Sequence, residues 1–322
     1  MDKNRKIIAI SYSDDNYKMS KGLNLFTAKH IGKADEVISY GPDDLDDDFK
    51  KKYHSILSQK RGGGYWVWKP YIILKTMEQM AFGDFLIYTD AGMIYIKKIQ
   101  HMIRQLDRDG KDIFLSSGFV PCKDWCKRDA FVLMGCDNDE AKNTIMVSGG
   151  YILLRKSTES IRFIEEFMKY AGDERIITDA ANSCGLPNEQ GFREHRHDQS
   201  VLSNLVWKYG IVPYRAVTHV DEPRAHINAL RTGNPGAYKY TFEERTELMV
   251  KEHKTEGYQK SDYGRLFINT RLKDMSVIMF AVRLVYRILI TILTDIWGAV
   301  NDKKYLRQAE CRIHEKEEKN GR

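Results

Sequence analysis

One aspartate stands directly after an apolar run, at the place where a buried strand would end. Residues 85–88 read Phe-Leu-Ile-Tyr, and after Thr89 come Asp90, Ala91 and Gly92. A carboxylate at the carboxyl end of a strand can hold a divalent cation against a diphosphate. Small residues beside it let a ligand approach the backbone closely. The alternative is an ordinary turn, because aspartate often makes turns.

A second segment combines glycines, aromatic residues and cations ahead of a predicted helix. Residues 61–70 read Arg-Gly-Gly-Gly-Tyr-Trp-Val-Trp-Lys-Pro. Glycine-rich backbone at the start of a helix can bind phosphate oxygens, and Arg61 and Lys69 can neutralise their charge. The alternative is a loop in which Trp66 and Trp68 pack against the sheet while both cations remain solvated.

Polar side chains are dense at residues 195–200, which open another predicted helix. Asp198 can orient or deprotonate an acceptor hydroxyl, with His197 and Gln199 beside it. The alternative is a structural role, because aspartate at a helix N-terminus caps the helix and suits its dipole. His219 follows later in the chain and can serve as a metal ligand, although a lone histidine is more often structural.

Helical and extended patterns alternate along the chain and predict a mostly parallel, doubly wound α/β sheet. Such sheets bind ligands at the carboxyl ends of their strands, which is where the polar loops lie. The strands are predicted at 7–10, 36–40, 85–88, 113–115, 152–154 and 211–214. The helices are predicted at 19–31, 70–81, 96–108, 157–170, 198–208 and 242–255.

Composition excludes several classes of protein. The chain has 322 residues, 30% charged and 42% hydrophobic, which is ordinary for a globular protein and not for a disordered or polytopic membrane protein. A net charge of +6 is far from that of a dedicated nucleic-acid binder, so no nucleic-acid partner is expected. The odd number of five cysteines and the absence of a signal-peptide apolar region predict reduced thiols in the cytoplasm.

Residues 276–300 differ from the rest of the chain, because eighteen of the 25 are apolar. At about 100° per residue, Arg283, Arg287, Asp295 and the neighbouring small polar residues share an arc of about 120°. Those charges make a membrane-spanning helix unfavourable. We expect a helix that lies in a membrane interface with the charged stripe towards the headgroups. A core helix or a helix packed against a partner chain is the alternative.

The order of these motifs over residues 5–225 resembles the GT-A type of nucleotide-sugar glycosyltransferase, of the kind that builds bacterial surface polysaccharides. The resemblance rests on the first strand with its polar loop, the aromatic-Lys-Pro helix, the strand ending in Tyr-x-Asp, the Ser-Gly-Gly at 148–150 and the Asp-Gln at 198–199. It implies a GT-A-like catalytic domain at 1–235. A helical linker region at 236–275, the interface helix at 276–300 and a charged tail at 301–322 would follow.

The motifs and the resemblance together imply roles for individual residues. Asp198 is the candidate catalytic residue. Donor binding is assigned to Ser11, Tyr12, Arg61, Lys69, Asp90, Ala91 and Gly92. Acceptor binding is assigned to Ser148, Gly149, Gly150, His197 and Gln199.

The resemblance also implies a divalent metal, Mn²⁺ or Mg²⁺, that holds the donor diphosphate. In that family the strand-end motif is Asp-x-Asp, and here Gly92 stands where the second aspartate would be. The metal ligands are therefore assigned to Asp90 with His219.

The sequence thus predicts an enzyme that transfers a sugar from a nucleotide diphosphate donor to a glycan or lipid-linked acceptor in cell-surface polysaccharide synthesis. Its expected place is the cytoplasm, attached peripherally to the anionic inner face of the cell membrane. Two alternatives stay open. One is a sugar nucleotidyltransferase, and the other is a non-catalytic, membrane-docked protein that binds a glycan or nucleotide. The sequence leaves the donor, the stereochemistry and the oligomeric state open.

Overall fold

A five-stranded sheet organises the computed structural model, which describes residues 5–218, 241–253, 263–270 and 272–320. The strands of the described residues are β1 Ile7–Tyr12, β2 Glu36–Tyr40, β3 Phe85–Thr89, β4 Met93–Tyr95, β5 Ile113–Phe114, β6 Ser117–Pro121, β7 Ile145–Val147, β8 Tyr151–Arg155 and β9 Phe267–Asn269. The central sheet has the order β2-β1-β3-β8-β5, and two-stranded sheets pair β4 with β9 and β6 with β7.

Four of the five central strands point the same way. β1 is parallel to β2 and β3, whereas β8 is antiparallel to both β3 and β5. The apolar, β-branched run of β1 suits a strand covered on both faces, and all six of its residues are buried. The predicted α/β fold with a mostly parallel sheet is confirmed, with β8 as the strand that runs against the others.

Helices cover both faces of this sheet. The helices of the described residues are α1 Lys18–His30, α2 Asp47–Lys52, α3 His54–Leu57, α4 Gly62–Tyr65, α5 Trp68–Glu78, α6 Gln100–Asp109, α7 Arg128–Leu133, α8 Asp139–Asn143, α9 Thr158–Ala171, α10 Glu174–Ile177, α11 Asp198–Lys208, α12 Phe242–His253 and α13 Val277–Asn320, of which α13 lies outside the two layers that cover the sheet. On one face α5, α9 and α11 pack against Ile8, Ile10 and Leu86. On the other face α1 and α6 pack against Ala9 and Ile87.

The predicted strand at 211–214 is wrong. Only Tyr214 makes a bridge there, to Ser116, and its ring stacks on Phe114 with the centroids 4.4 Å apart. The β-branched pair at 211–212 suggested a strand, but the backbone N–H of Ile211 donates to the carbonyl oxygen of Val206 at the end of α11, and Pro213 has no N–H, so pairing is confined to Tyr214.

The C-terminal part is helical, as predicted, but its divisions differ from the expected ones. The segment at 236–275, expected to be helical, contains strand β9, which pairs with β4 beside the end of β3. The segment expected as a charged tail continues the preceding helix, because α13 runs without a break to Asn320. Its last turns pack on α12, where Arg312 and Lys316 both bind Glu247.

Candidate functional site

Asp90 lies at the carboxyl end of β3, and three neighbours hold its position. Its backbone N–H donates to the carbonyl oxygen of Gly150 at 2.8 Å. The hydroxyl of Tyr88 donates to Oδ1 of Asp90 at 2.7 Å. The side-chain amide of Asn24, which projects from α1, donates to the carbonyl oxygens of Asp90 at 3.3 Å and Met93 at 2.8 Å. The turn after β3 is thus fixed from both faces of the sheet.

Lys69 is buried beside this turn, with 2% of the residue exposed. Its ammonium donates to the carbonyl oxygen of Gly149 at 2.8 Å and forms a short ion pair with Asp198. It also lies 3.8 Å from Oδ1 of Asp90 and over the ring of Tyr88. An ammonium in such a place needs compensating charge, and the two aspartates supply it.

Asp198 is the first residue of α11 and is buried like its partner. Burial raises the pKa of Asp198, and the neighbouring Lys69 opposes that rise. Two features favour the charged form of Asp198. Its carboxylate pairs with the ammonium of Lys69, and it lies at a helix N-terminus, where negative charge is stabilised. We name Lys69, Asp90 and Asp198 the carboxylate–lysine cluster.

Two glycines form the edge of this cluster. A Cβ added to Gly149 would lie 3.3 Å from Oδ2 of Asp198, and one added to Gly150 would lie 3.4 Å from Oδ2 of Asp90. The hydroxyl of Ser148 accepts the backbone N–H of Gly150 at 3.3 Å. The absence of side chains therefore lets the backbone of both glycines approach the two carboxylates closely, and at Gly150 an added Cβ would also lie 3.0 Å from Cε of Met93.

Arg61 belongs to a neighbouring group rather than to this cluster. It binds Asp179 at 3.0 Å and lies 3.5 Å from Glu194. His197 joins the same group, with Nε2 3.8 Å from Asp179 and Nδ1 at 2.9 Å from the carbonyl oxygen of Ile177. Burial lowers the pKa of His197 to about 4, so the ring is neutral at physiological pH.

The segment that carries Arg61 and leads to Lys69 has unusual backbone geometry. Five consecutive residues, at 62–66, have positive φ values between 50° and 94°, and Tyr65 and Trp66 are among them. Non-glycine residues adopt this conformation only where their surroundings enforce it, and such strain often lies at functional sites. Trp66 stacks on His197 at 5.6 Å between ring centroids, which ties the strained turn to α11.

The other assigned donor and acceptor residues lie around the cluster. Ser11 is buried and donates to the carbonyl oxygen of Thr89 at 2.8 Å. Tyr12 stacks on Trp68 at 3.7 Å. The carbonyl oxygen of Gly92 accepts the backbone N–H of Thr270 at 2.8 Å. Ala91 is partly exposed, and Gln199 packs beside Gly149. Their proposed ligand contacts stay predictions.

The described residues do not fit a resident divalent metal at Asp90. No group of three or more His, Cys, Asp or Glu side chains within the described part of the chain has ligand-like spacing. The ammonium of Lys69, 3.8 Å from Asp90, would compete with a cation for that carboxylate. His219, the other predicted ligand, lies outside the described residues.

Three residues of the site were not predicted from the sequence. Tyr88 was assigned only to the strand, yet it donates to Asp90, and burial raises its pKa so that the hydroxyl keeps its proton. Asn24 gave one available signal, since it belongs to a buried helix face that also carries the polar residues Ser20 and Thr27. Asp179 gave none, because its partners Arg61 and Tyr65 are more than a hundred residues away.

Comparison with known proteins gives weak likenesses. No family model matches the chain, and no curated protein matches it. The solved structures that resemble it include mouse xyloside xylosyltransferase 1, at 12% identity over 66% of this chain and 84% of that one, with a TM-score of 0.39. The galactosyltransferase LgtC in complex with donor and acceptor sugar analogues has 13% identity over 62% of this chain and 70% of that one, with a TM-score of 0.33.

The glycosyltransferase GlyE from Streptococcus pneumoniae TIGR4 aligns over 92% of this chain and 64% of its own, at 10% identity and a TM-score of 0.40. All three proteins are glycosyltransferases. At these identities and TM-scores the likenesses identify neither a substrate nor a mechanism. The fold assignment rests on the strand order and the chemistry on the contacts of the carboxylate–lysine cluster.

Proposed function

We propose that this chain is a glycosyltransferase that moves a sugar from a nucleotide diphosphate donor to a glycan or lipid-linked acceptor in cell-surface polysaccharide synthesis. The observation that carries the proposal is the carboxylate–lysine cluster with its glycine edge at the carboxyl end of β3. That end is where α/β sheets bind nucleotides and other ligands.

The donor side of the proposal rests on Lys69. An ammonium has three N–H donors, and those of Lys69 reach Gly149 and Asp198, whereas Asp90 at 3.8 Å is beyond hydrogen-bond distance. A ligand oxygen can take the third donor. Fixed positive charge in a buried site stabilises a leaving diphosphate more than the same charge in water, because little water screens it.

The acceptor side rests on Asp198. If the reaction inverts configuration, its carboxylate accepts the proton of the attacking hydroxyl, and a pKa raised by burial makes it a better base. If the reaction retains configuration, Asp198 only positions the acceptor. In both cases Gly149 lets the backbone lie directly against the carboxylate, since an added Cβ would lie 3.3 Å from Oδ2 of Asp198.

The experiment compares the aspartates at the two ends of β3. Asp90 follows the strand, and Asp84 precedes it, where it accepts the backbone N–H of Lys6 at 2.8 Å. Asp90→Asn should lower transfer from a panel of nucleotide sugars by about two orders of magnitude while the melting temperature changes little. Asp84→Asn should lower the melting temperature while the turnover of the folded protein is kept.

Three results would contradict the proposal. Binding of nucleotide sugars, measured as a rise in melting temperature, without transfer or donor hydrolysis would indicate a non-catalytic binding protein. Release of diphosphate from a nucleoside triphosphate and a sugar phosphate would indicate a nucleotidyltransferase. Full activity in Asp90→Asn with a large loss of stability would make Asp90 only a turn residue.

A further inference from the structure

Helix α13 turns an apolar face away from the protein. Its segment Val277–Thr294 has a mean hydropathy of 2.0, and only 17% of it is buried. By length and composition alone this segment could cross a membrane. The large apolar side chains exposed on the helix are Val277, Ile278, Met279, Val282, Val285, Tyr286, Leu289, Ile292, Leu293, Ile296 and Val300.

The opposite side of the same helix is packed against the chain. Phe280, Thr291 and Thr294 are buried there. The two threonine hydroxyls donate to the carbonyl oxygens of Arg287 and Ile290, at 2.9 and 2.6 Å, so each is satisfied within the helix. At about 100° per residue, the three buried side chains lie within about 60° of one another and opposite Leu289.

The charged stripe was expected to face lipid headgroups, and its orientation is different. Arg287 is only partly exposed and lies on the packed side with Thr291 and Thr294, whereas Arg283 is exposed at the edge of that side. A surface helix of a soluble protein buries its apolar face and exposes its polar one. Helix α13 does the reverse, so its outward face requires an apolar environment.

A basic band continues the outward face. Ile296, Val300, Lys303 and Arg307 follow one another at spacings of four, three and four residues, which places them on one side of the helix. Lys303, Lys304 and Arg307 are exposed. An apolar surface followed directly by cations matches the acyl boundary and the headgroups of an anionic membrane.

We infer that α13 docks the protein on an anionic membrane surface, with its outward apolar face in the acyl boundary and Lys303, Lys304 and Arg307 at the headgroups. The helix lies flat rather than crossing the bilayer, because a spanning helix would have to leave the contacts that bury Phe280, Thr291 and Thr294. The apolar part, residues 277–300, is about 36 Å long, so it offers a long contact line. This inference does not depend on sugar transfer.

The cytoplasmic leaflet is the anionic surface that a cytoplasmic protein meets. We therefore place the protein on the inner face of the cell membrane. A second copy of the chain is the rival occupant of the apolar face. It is disfavoured because two basic bands would meet or lie exposed beside an otherwise apolar interface.

The test is flotation of the full chain with sealed vesicles of phosphatidylcholine alone or with added phosphatidylglycerol. The protein should float with the anionic vesicles and much less with the neutral ones, and high salt should weaken binding. Failure to float with either kind of vesicle would overturn the inference. If light scattering then shows a stable dimer, a second copy of the chain covers the apolar face.

Substitutions on the outward face test which surface binds. Leu289→Glu with Leu293→Glu should lower the vesicle partition coefficient by more than about tenfold, because two leucines leave the acyl boundary. Phe82→Glu with Leu186→Glu, at two exposed apolar residues elsewhere, changes the net charge equally, is the matched control and should change binding little. Lys303→Glu with Lys304→Glu should weaken binding to anionic vesicles far more than Lys51→Glu with Lys52→Glu, which changes the net charge equally.

Cys311 distinguishes docking from crossing. It is exposed in α13, beyond the apolar segment. A membrane-impermeant maleimide added outside sealed vesicles should label Cys311 of the bound protein as fast as in free protein, since a flat helix keeps both ends on one side. Protection that only detergent removes would show a spanning helix and overturn the flat arrangement.

Discussion

A lysine ammonium is stable in a protein interior only when opposite charge lies against it, and Lys69 meets this condition through Asp198 and Asp90. Lys69 and Asp198 are separated by 129 positions in the sequence, and their ion pair joins the start of α5 to the start of α11. The cluster therefore serves the fold as well as the proposed chemistry, and a variant that separates the two roles is informative.

Lys69→Met should destabilise the protein by about 3–5 kcal/mol, because it leaves Asp198 buried without a counter-charge. Adding Asp198→Asn should recover much of this loss. Denaturant unfolding of both single variants and the double variant measures the coupling between the two residues. Losses that simply add would contradict the buried pair.

The pH dependence of Lys69→Met follows from the same residues. Burial already raises the pKa of Asp198, and loss of Lys69 removes the group that opposes the rise. A carboxyl with a raised folded-state pKa takes up a proton on folding, so the Lys69→Met variant should regain stability as pH falls through that pKa. The double variant, Lys69→Met with Asp198→Asn, should lack this recovery. Denaturant unfolding of the single and the double variant at a series of acidic pH values measures the difference.

At this scale the sequence identified the residue types but not their partners. Lys69 was interpreted as either a ligand-binding or a solvated cation, and Asp198 as a base or a cap. The structure shows a third arrangement, a buried ion pair. Contacts between Lys69 and Asp198 depend on how α5 and α11 approach each other across the sheet, and no local pattern encodes that distance.

The strained turn before α5 is the element that sets Lys69 in place. Gly64 has a φ of +94°, and a Cβ there would lie 2.7 Å from Cα of Leu57. The turn is therefore closed by backbone packing, which a side chain at Gly64 would prevent. Gly22 offers the contrast, since it lies inside α1 with nothing within 4 Å of an added Cβ.

Gly64→Ala should destabilise the protein by about 1–3 kcal/mol and lower activity through displacement of Lys69. Gly22→Ala, by contrast, should stabilise it by about 0.5–1 kcal/mol, because alanine is the better helix former. Thermal unfolding of the two variants side by side checks both signs. Equal effects would mean that the left-handed turn carries no strain.

Long periodic elements were predicted within a few residues, and short or non-local ones were not. α1, β2, α9 and α11 lie where the apolar spacing placed them. β4 and β9 are three residues each and pair across more than 170 positions, so neither carries a pattern of its own. The reversed direction of β8 is equally invisible, because a buried strand has the same composition in either direction.

The molecule as a whole keeps its two large cores apart from α13. The clusters on the two faces of the sheet draw their buried residues from the chain between β1 and Val217 and from the segment around β9. In the last turns of α13, Ala309 and Ile313 form a small third cluster with Val250 of α12. Removal of α13 therefore exposes little of the interior that supports the carboxylate–lysine cluster.

The residues just before α13 decide where the chain can be shortened. Asp274 accepts the backbone N–H of Met19 at 2.9 Å and so caps α1, whose preceding Tyr17 makes no side-chain cap. A chain ending at Ser276 should stay folded, transfer sugar to a water-soluble acceptor and lose vesicle binding. A chain ending at Lys273 should be less stable by about 1 kcal/mol, the usual effect of losing a cap. Equal melting temperatures would refute the cap, and aggregation of both chains would place α13 in the core rather than at a membrane.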